Sequence, residues 1–228
     1  MNTRSLYVTG TDTGVGKTAA STALLHALRG QGLRAAGMKP VASGCTRNTD
    51  GWRNDDALAL QAASEPVPDY DDVNPYALPM ATAPQLAARE AGVRIERGPI
   101  LAAHARLGRQ ADVVVVEGVG GWAAPLADDL EQAALVHALD APVVLVVGLR
   151  LGCLSHARLS ARVIAGDGCR LAGWIANAVD REFDRAADYL ELLRAALPVP
   201  CLGLLPHAPG VDARMLAREL ELSALGIS

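Results

Sequence analysis

A chain of 228 residues, of which 50% are apolar, fits one domain with a sizeable core, and we predict a single domain over residues 1–228. Its 21 basic and 25 acidic residues are intermixed and give a net charge of −4, so we expect no nucleic-acid partner. No apolar run reaches the roughly 20 residues of a membrane span, and the first predicted strand begins at Ser5, so we expect neither a membrane segment nor a signal peptide.

The first predicted element is a strand over Ser5–Thr9, and a glycine-rich loop, Gly10–Thr18, follows it directly. A helix-like run begins at Ala19, so the loop lies between a strand and a helix. This is the setting of a phosphate-binding loop, in which backbone N–H groups and the helix start bind an anion. Lys17 would contact the β- and γ-phosphates of a nucleotide, and the Thr18 hydroxyl would ligate the Mg²⁺ that accompanies them. The predicted nucleotide-binding residues of the loop are Gly14, Val15, Gly16, Lys17 and Thr18.

The spacing of this loop departs from the commonest pattern, because five residues rather than four separate Gly10 from Gly16. An ordinary glycine-rich turn with a solvated lysine is therefore the alternative interpretation. A second nucleotide-binding variant of the loop carries an additional signature lysine, and in this sequence Asp12 stands at that position.

After the first helix, predicted strands and helices alternate along the chain. The strands are predicted at residues 34–38, 112–116, 142–147, 171–176 and 199–205. The helices are predicted near residues 55–62, 85–90, 99–107, 130–139, 185–197 and 211–224, with one more that ends near residue 165. Residues 45–54 and 66–84 are predicted as loops, the second with five prolines. The alternation predicts an α/β fold with a mostly parallel sheet and helices on both faces.

Ligands bind sheets of this kind beyond the carboxyl ends of the strands. The residues predicted at that edge are Gly10–Thr18, Lys39–Ser43, Glu117–Gly121, Gly148–Ser155, Asn177 and Pro206. Glu117 follows four valines and either caps a turn or completes a magnesium site, and Asp56 either stabilises a helix start or is a second ligand. Lys39 is either solvated or contacts a phosphate or carboxylate. Asn177 either forms a turn or pairs with a purine edge.

Cysteine and histidine usage restricts the remaining chemistry. The four cysteines show no C-x-x-C pair, and the five histidines are scattered without ligand spacing, which argues against a zinc site. This pattern favours reduced thiols in a cytoplasmic protein. The residues considered so far predict an enzyme that uses Mg²⁺ and a nucleoside triphosphate and leave its other substrate open.

Six segments of the sequence together resemble the dethiobiotin synthetase family. They are Gly10–Thr18, Lys39–Gly44, Asn54–Ala57, Val116–Trp122, Leu151–His156 and Ala172–Asn177. The resemblance runs in order from about residue 5 to residue 206, and Lys39–Gly44 and Val116–Trp122 are more specific than the phosphate loop. It implies a phosphate-loop NTPase-like fold and a ligase of biotin biosynthesis. Such an enzyme converts 7,8-diaminononanoate, CO₂ and ATP to dethiobiotin, ADP and phosphate with Mg²⁺, through carbamate and carbamoyl-phosphate intermediates.

The resemblance also implies roles for particular side chains. The implied catalytic residues are Thr13, Lys17 and Lys39. The implied Mg²⁺ ligands are Thr18, Asp56 and Glu117. The implied adenine-binding residues are Asn177 and, through its backbone, Pro206. The implied substrate-binding residues are Thr13, Lys39, Ser43, Gly152, Cys153, Leu154, Ser155 and Tyr189.

The same resemblance implies a homodimer that binds its substrate at the subunit interface. The partner's helix start at Gly152–Ser155 would bind the substrate carboxylate, since helix N-termini favour anions. Tyr189 would reach the same carboxylate, or it would belong to the core of its own helix. One position departs from the family, because some members carry glutamate where Gly14 stands. That change puts nucleotide affinity and base selectivity in question rather than the reaction.

Two other functions fit a phosphate loop. The first is a nucleotide-switched, dimerising ATPase of the partitioning type. Asp12 in place of the signature lysine and the lack of a basic amphipathic tail argue against it. The second is an amidotransferase-type ligase, for whose glutaminase domain the chain leaves no room.

Overall fold

Most strands of the central sheet coincide with apolar runs in the sequence. In a computed structural model, which describes residues 4–207 and 210–227, the strands are β1 (Arg4–Gly10), β2 (Ala35–Met38), β3 (Val41–Ser43), β4 (Thr46–Asn48), β5 (Gly51–Arg53), β6 (Tyr76–Leu78), β7 (Val113–Gly121), β8 (Val143–Gly148), β9 (Leu171–Asn177) and β10 (Cys201–Leu205). The helices are α1 (Lys17–Gly30), α2 (Asp55–Ala63), α3 (Tyr70–Val73), α4 (Pro84–Glu90), α5 (Arg97–Gly108), α6 (Gln132–Leu139), α7 (Cys153–Gly166), α8 (Ala186–Ala196) and α9 (Ala213–Leu216). Two 3₁₀ turns follow at Ala217–Glu219 and Ser223–Leu225.

The central sheet has six strands in the order β10–β9–β8–β1–β7–β2. Every neighbouring pair in it is parallel, which confirms the predicted mostly parallel sheet. β1 pairs with both β7 and β8 and so lies in the middle. Because the strands run in one direction, the segments that follow β1, β2 and β7 meet at the same edge of the sheet.

β7 shows why helices cover both faces of this sheet. Its Val113 and Val115 side chains belong to one buried cluster, and Val114 and Val116 belong to another. α1, α2, α3 and α9 contribute to the first cluster, whereas α4 to α8 contribute to the second. The unbroken apolar run of β7 therefore reflects burial on both faces, as predicted.

Short elements occupy two segments that the sequence predicts as loops. Residues 45–54 contain the hairpin of β4 and β5, and residues 66–84 contain α3 and β6. β6 pairs in parallel with β3, so each of these three-residue strands depends on its partner. Strands this short carry no clear periodicity, and tertiary pairing rather than local sequence forms them. The loop prediction was therefore wrong for these parts of the chain.

Two element boundaries also differ from the prediction. β7 continues to Gly121, past Val116, because its extension stays paired with β1. The helix predicted over residues 211–224 is reduced to α9 and the two 3₁₀ turns, since Leu220 forms a β-bridge with Gly203 of β10. In the part of the chain that the structure describes, no helix is both long and apolar enough to cross a membrane.

Candidate active site

The loop between β1 and α1 has the backbone of a phosphate-binding loop. Gly14 and Gly16 have φ angles of 74° and 83°, in the left-handed region that favours glycine. A Cβ on Gly10 would lie 2.7 Å from Val15 Cγ2, so this position also requires glycine. α1 begins at Lys17, directly after the loop, and the first N–H groups of a helix have no partner within it. The predicted strand–loop–helix arrangement is confirmed.

The Lys17 side chain lies within this loop rather than in solvent. It is 7% exposed, and its Nζ donates a hydrogen bond of 3.0 Å to the Asp12 carbonyl oxygen. Burial lowers the pKa of Lys17 to about 8, and the Lys39 ammonium adds to this effect, while Glu117 and Asp56 oppose it. This placement does not fit the alternative of a solvated loop lysine.

Lys39 joins two acidic side chains that are predicted metal ligands. Its Nζ donates hydrogen bonds of 2.5 Å to Glu117 Oε1 and 2.9 Å to Asp56 Oδ2. The Thr18 hydroxyl donates to the same Glu117 oxygen over 3.0 Å. Lys39 and Glu117 are buried, whereas Asp56 is partly exposed. Four predicted residues from separate parts of the chain thus form one hydrogen-bonded network.

The charges of this network shift the pKa values of its members. Burial alone would lower the pKa of Lys39, but attraction to Glu117 and then to Asp56 outweighs burial and raises it. Burial alone would raise the pKa of Asp56, but Lys39 outweighs it and lowers that pKa. Both groups are therefore ionised near neutral pH. Lys17 and Lys39 are the only lysines of the 228-residue sequence, so both ammonium side chains of the protein lie at this site.

The oxygen atoms of this network suit a hard divalent cation. Glu117 is fully buried, and its Oε2 has no hydrogen-bond partner among the described residues. Such an atom is costly to bury unless a ligand or ion contacts it. Thr18, Asp56 and Glu117 offer hydroxyl and carboxylate oxygens, the ligand type that Mg²⁺ prefers. The described ranges hold no cluster of three or more His, Cys, Asp or Glu suited to a metal.

The network lines a pocket of about 780 Å³ at the carboxyl edge of the sheet, a volume typical of small-molecule sites. Nine predicted site residues line this pocket, namely Thr13, Gly14, Gly16, Lys17, Thr18, Lys39, Ser43, Asp56 and Glu117. Residues 81–85, at the start of α4, form another wall, together with Val119 and Gly120 of the β7 extension. Residues far apart in the sequence therefore form one cavity, as the predicted sheet edge required.

Asn177 contacts the phosphate loop without lining this pocket. Its Nδ2 donates a hydrogen bond of 2.9 Å to the Val15 carbonyl oxygen, and a Cβ on Gly16 would lie 1.9 Å from the same nitrogen. Val15 is buried, and Pro206 follows β10 as an exposed residue. Val15, Asn177 and Pro206 are absent from the pocket wall. Their role in nucleotide binding stays a prediction.

The residues predicted to bind the substrate carboxylate lie outside the pocket of the same chain. Gly152, with a φ of 93°, precedes α7, and Ser155 is exposed near that helix start. Cys153, the first residue of α7, is buried. Tyr189 packs edge-on against Phe183, with ring centroids 5.0 Å apart. A single chain does not bring this group together with Lys17.

Sequence reasoning missed a buried glutamine that holds the segment after Glu117. Gln132 Nε2 donates hydrogen bonds of 2.7 Å to the Gly121 carbonyl oxygen and 2.8 Å to that of Ala124. Its Oε1 accepts a hydrogen bond of 2.8 Å from the Tyr7 hydroxyl, 125 positions away in the sequence. No local sequence signal marks a pair at such a separation.

Two polar contacts at the phosphate loop and at α2 were also missed. Asn54 lines the pocket, and its Oδ1 caps α2 by accepting a hydrogen bond of 3.1 Å from the Asp56 N–H. An asparagine directly before two aspartates is a helix N-cap signal, so the sequence could have revealed it. Asp12 accepts a hydrogen bond of 2.7 Å from Arg150 Nη2, and no sequence pattern indicated that contact.

A glycine-rich loop between strand and helix, with a buried lysine and a carboxylate network at the same sheet edge, defines a nucleotide-binding protein of the phosphate-loop class. A family described as an AAA domain matches residues 4–215. Among solved structures, the signal recognition particle receptor FtsY from Elizabethkingia anophelis aligns with 95% of this chain and 64% of its own, at 16% identity. Its TM-score of 0.49 is too low to support an argument.

Curated relatives identify the family more closely. The ATP-dependent dethiobiotin synthetase BioD of Xylella fastidiosa (strain 9a5c) is 61% identical over 222 residues, which cover 97% of this chain and 98% of that protein. The protein of the same name from Xanthomonas euvesicatoria pv. vesicatoria (strain 85-10) is 60% identical over 218 residues, 96% of this chain and 97% of its own. The chain belongs to the dethiobiotin synthetase family, as its motifs predicted.

Proposed function

We propose that this protein is an ATP-dependent dethiobiotin synthetase, a carbon–nitrogen ligase of biotin biosynthesis. Relatives with that name match nearly the whole chain at 60% and 61% identity. The observation that carries the proposal is the pocket in which nine predicted site residues meet, seven of them with roles that the family resemblance implies. The substrates are ATP, CO₂ and 7,8-diaminononanoate.

The reaction is a sequence of three bond changes. One amine of the diamine captures CO₂ and becomes a carbamate. A carbamate oxygen then accepts the γ-phosphoryl group of ATP, and ADP leaves. The second amine attacks the carbonyl carbon of this mixed anhydride, phosphate leaves, and the cyclic urea closes. None of these steps requires an enzyme nucleophile, so catalysis consists of positioning and charge stabilisation.

The two lysines supply the positive charge for these steps. Lys17 lies in the phosphate loop and would bind the β- and γ-phosphates and stabilise the transferred group. Lys39 faces the same pocket and would contact the carbamate and the γ-phosphate. Thr13 and Ser43, on the pocket wall, would bind the diamine or its carbamate. These assignments are supported by shared access to one cavity.

Thr18, Asp56 and Glu117 would hold Mg²⁺, which neutralises part of the triphosphate charge when bound. The support for this assignment is the oxygen-only ligand set and the buried, unpartnered Glu117 Oε2. The Lys39 ammonium contacts both carboxylates and offsets part of their charge. A cation bound by the same carboxylates would take over that role, so Lys39 could then turn toward an anionic substrate.

Asn177 and the backbone at Pro206 would bind the adenine of ATP. The Asn177 Nδ2 already donates to the Val15 carbonyl oxygen. We therefore expect the amide oxygen, which accepts hydrogen bonds, to meet the amino group of adenine. Gly14 faces the pocket, and a Cβ added to it would have no other atom within 4 Å. The loop thus leaves open space where some family members carry glutamate.

A homodimer would complete the substrate site, in which the partner's helix start at Gly152–Ser155 would bind the substrate carboxylate and Tyr189 would reach the same carboxylate. Two features of α7 support this arrangement. Its N-terminal end is exposed and suits an anion. Two apolar side chains are also exposed, with Leu151, just before the helix, 80% accessible and Leu159, within it, 55% accessible. We further propose that residues 1–228 form one ATP-binding synthetase domain and that it works in the cytoplasm, where its free thiols stay reduced.

Product analysis tests the proposed function. The protein is mixed with ATP, Mg²⁺, bicarbonate and 7,8-diaminononanoate, and dethiobiotin and ADP are quantified together. We expect equal amounts of the two products, and neither without the diamine. Formation of ADP without the diamine and without dethiobiotin would contradict the proposal and favour the nucleotide-switched ATPase.

A further inference from the structure

The segment 66–84 holds the part of the chain that carries Lys39. The Lys39 N–H donates a hydrogen bond of 2.7 Å to the Val73 carbonyl oxygen, at the end of α3. The Tyr76 N–H, at the start of β6, donates to the Pro40 carbonyl oxygen over 3.2 Å. The backbone on both sides of the Lys39–Pro40 peptide is therefore bound to this segment.

Two buried side chains of the same segment form a relay of hydrogen bonds. The Asn54 N–H donates to the Tyr70 hydroxyl oxygen over 2.8 Å. The Tyr70 hydroxyl donates to Asn74 Oδ1 over 3.1 Å, and Asn74 Nδ2 donates to the Lys39 carbonyl oxygen over 2.6 Å. In each of these bonds an N–H or O–H group donates and an oxygen accepts. Tyr70 and Asn74 are 8% and 3% exposed. The relay is thus satisfied and shielded from water.

The two ends of this relay are attached to two groups of the active site. At one end lies the backbone of Lys39. At the other lies Asn54, whose side chain caps α2 through the Asp56 N–H over 3.1 Å. The relay therefore sets the separation of the two backbones from which Lys39 and Asp56 extend. Their side chains meet at 2.9 Å in the pocket.

We propose that Tyr70 and Asn74 are positioning residues that hold Lys39 and Asp56 in the arrangement that binds Mg²⁺ with ATP. The inference rests on the proposed function, because the role of Asp56 as a metal ligand is part of that proposal. Neither side chain lines the pocket, so both act through Asn54 and Lys39. Partners that orient a metal ligand in this way typically change metal affinity by 10–100-fold when they are removed.

Tyr70→Phe tests the relay, and Tyr76→Phe is its matched control. Phenylalanine keeps the Tyr70 ring and its contact with the Arg53 guanidinium, 4.1 Å from the ring centroid. Tyr76 is 9% exposed, and its hydroxyl also bonds twice, to the N–H and carbonyl oxygen of Glu96. Both variants therefore lose one shielded hydroxyl with two partners. Of the two hydroxyl groups, only that of Tyr70 bonds to Asn54 and, through Asn74, to Lys39.

The readout is the Mg²⁺ concentration at half-maximal binding of a non-hydrolysable ATP analogue, with thermal unfolding measured in parallel. We expect Tyr70→Phe to raise that concentration by about tenfold or more, and Tyr76→Phe to leave it within about twofold of wild type. Both variants should lower the unfolding temperature to a similar degree. Equal Mg²⁺ midpoints for the two variants would overturn the proposal.

Asn74→Leu gives a second, independent test if Tyr70→Phe folds poorly. Leucine has a similar size and no charge, and it removes the donor toward the Lys39 carbonyl oxygen, so we expect an Mg²⁺ midpoint raised at least as far. A midpoint equal to that of wild type would overturn the relay.

The binding assay needs no diamine, so it is distinct from the test of function. A wild-type protein that binds Mg²⁺ and the analogue but makes no dethiobiotin would refute the proposed function and leave the relay to be judged on its midpoints.

Discussion

Replacing Lys39 by methionine tests whether its charge stabilises the folded protein. Lys39 Nζ lies 2.5 Å from Glu117 Oε1 and 2.9 Å from Asp56 Oδ2, and Glu117 is 0% exposed. Methionine keeps most of the side-chain length and removes the cation, so Glu117 would be left as a buried anion. Removing one partner of a buried pair costs about 3–5 kcal/mol. We expect Lys39→Met to lower the free energy of unfolding by that amount at neutral pH, without Mg²⁺ or nucleotide.

Arg89→Met is the matched control for this measurement. Arg89 and Asp128 form an ion pair of 2.8 Å in which the side chains are 64% and 63% exposed. Removing such a surface pair leaves no buried charge, so we expect little change in the free energy of unfolding. Urea unfolding of the wild type and both variants, followed by circular dichroism, gives the two differences. A loss for Lys39→Met no larger than that for Arg89→Met would refute the reasoning, because the buried carboxylate would then need no cation.

The double variant Lys39→Met/Glu117→Gln separates lost charge from lost packing. Glutamine keeps the shape of Glu117 without its charge, so the double variant contains no uncompensated buried ion. We expect it to recover most of the stability that Lys39→Met loses. If the double variant loses as much free energy of unfolding as the two single variants together, the effect comes from packing of the lysine stem instead.

Three further predictions test the roles of individual residues. Lys17→Ala should lower turnover by at least roughly 10²-fold, the effect of losing one preorganised charge-stabilising group, and near-normal turnover would make Lys17 an ordinary loop lysine. Glu117→Gln should raise the Mg²⁺ concentration for half-maximal turnover, and an unchanged titration would leave Glu117 a structural role. An amine-directed reagent should label Lys17 with a pH midpoint of about 8, because its pKa is lowered and the neutral amine reacts. Lys39, with a raised pKa, should react only at higher pH, and peptide mass spectrometry can separate the two lysines of the chain. A Lys17 midpoint near 10.5 would contradict its burial in the loop.

The parts of the fold that were predicted correctly carry strong local signals. Gly14 and Gly16 adopt left-handed backbone angles that favour glycine. The loop therefore needs glycines at fixed positions before Lys17, and the sequence shows them. The run Val113–Val116 is apolar at every position because both faces of β7 are covered. Such signals depend on neighbours in the sequence, and a single chain displays them.

The parts that could not be predicted depend on contacts between distant residues. β3 and β6 are three residues each and exist because they pair with one another. Gln132 and Tyr7 carry no local signal of their contact, yet their hydrogen bond supports one wall of the pocket. The Tyr70–Asn74 pair lies in a stretch whose prolines predicted a loop. In each case a tertiary contact, rather than local propensity, gives the residue its role.

Lys39 shows how much of a site the sequence can and cannot specify. Its position after a predicted strand indicated the ligand edge of the sheet but left open whether it is solvated or contacts an anion. The register of the sheet decides this, because Met38 of β2 pairs with Val116 of β7 and the next residues are Lys39 and Glu117. Two charges 78 positions apart in the sequence therefore become neighbours at the ends of adjacent strands. A charge at a strand end can be recognised from sequence alone, whereas its partner can be named only when the neighbouring strand and its register are known.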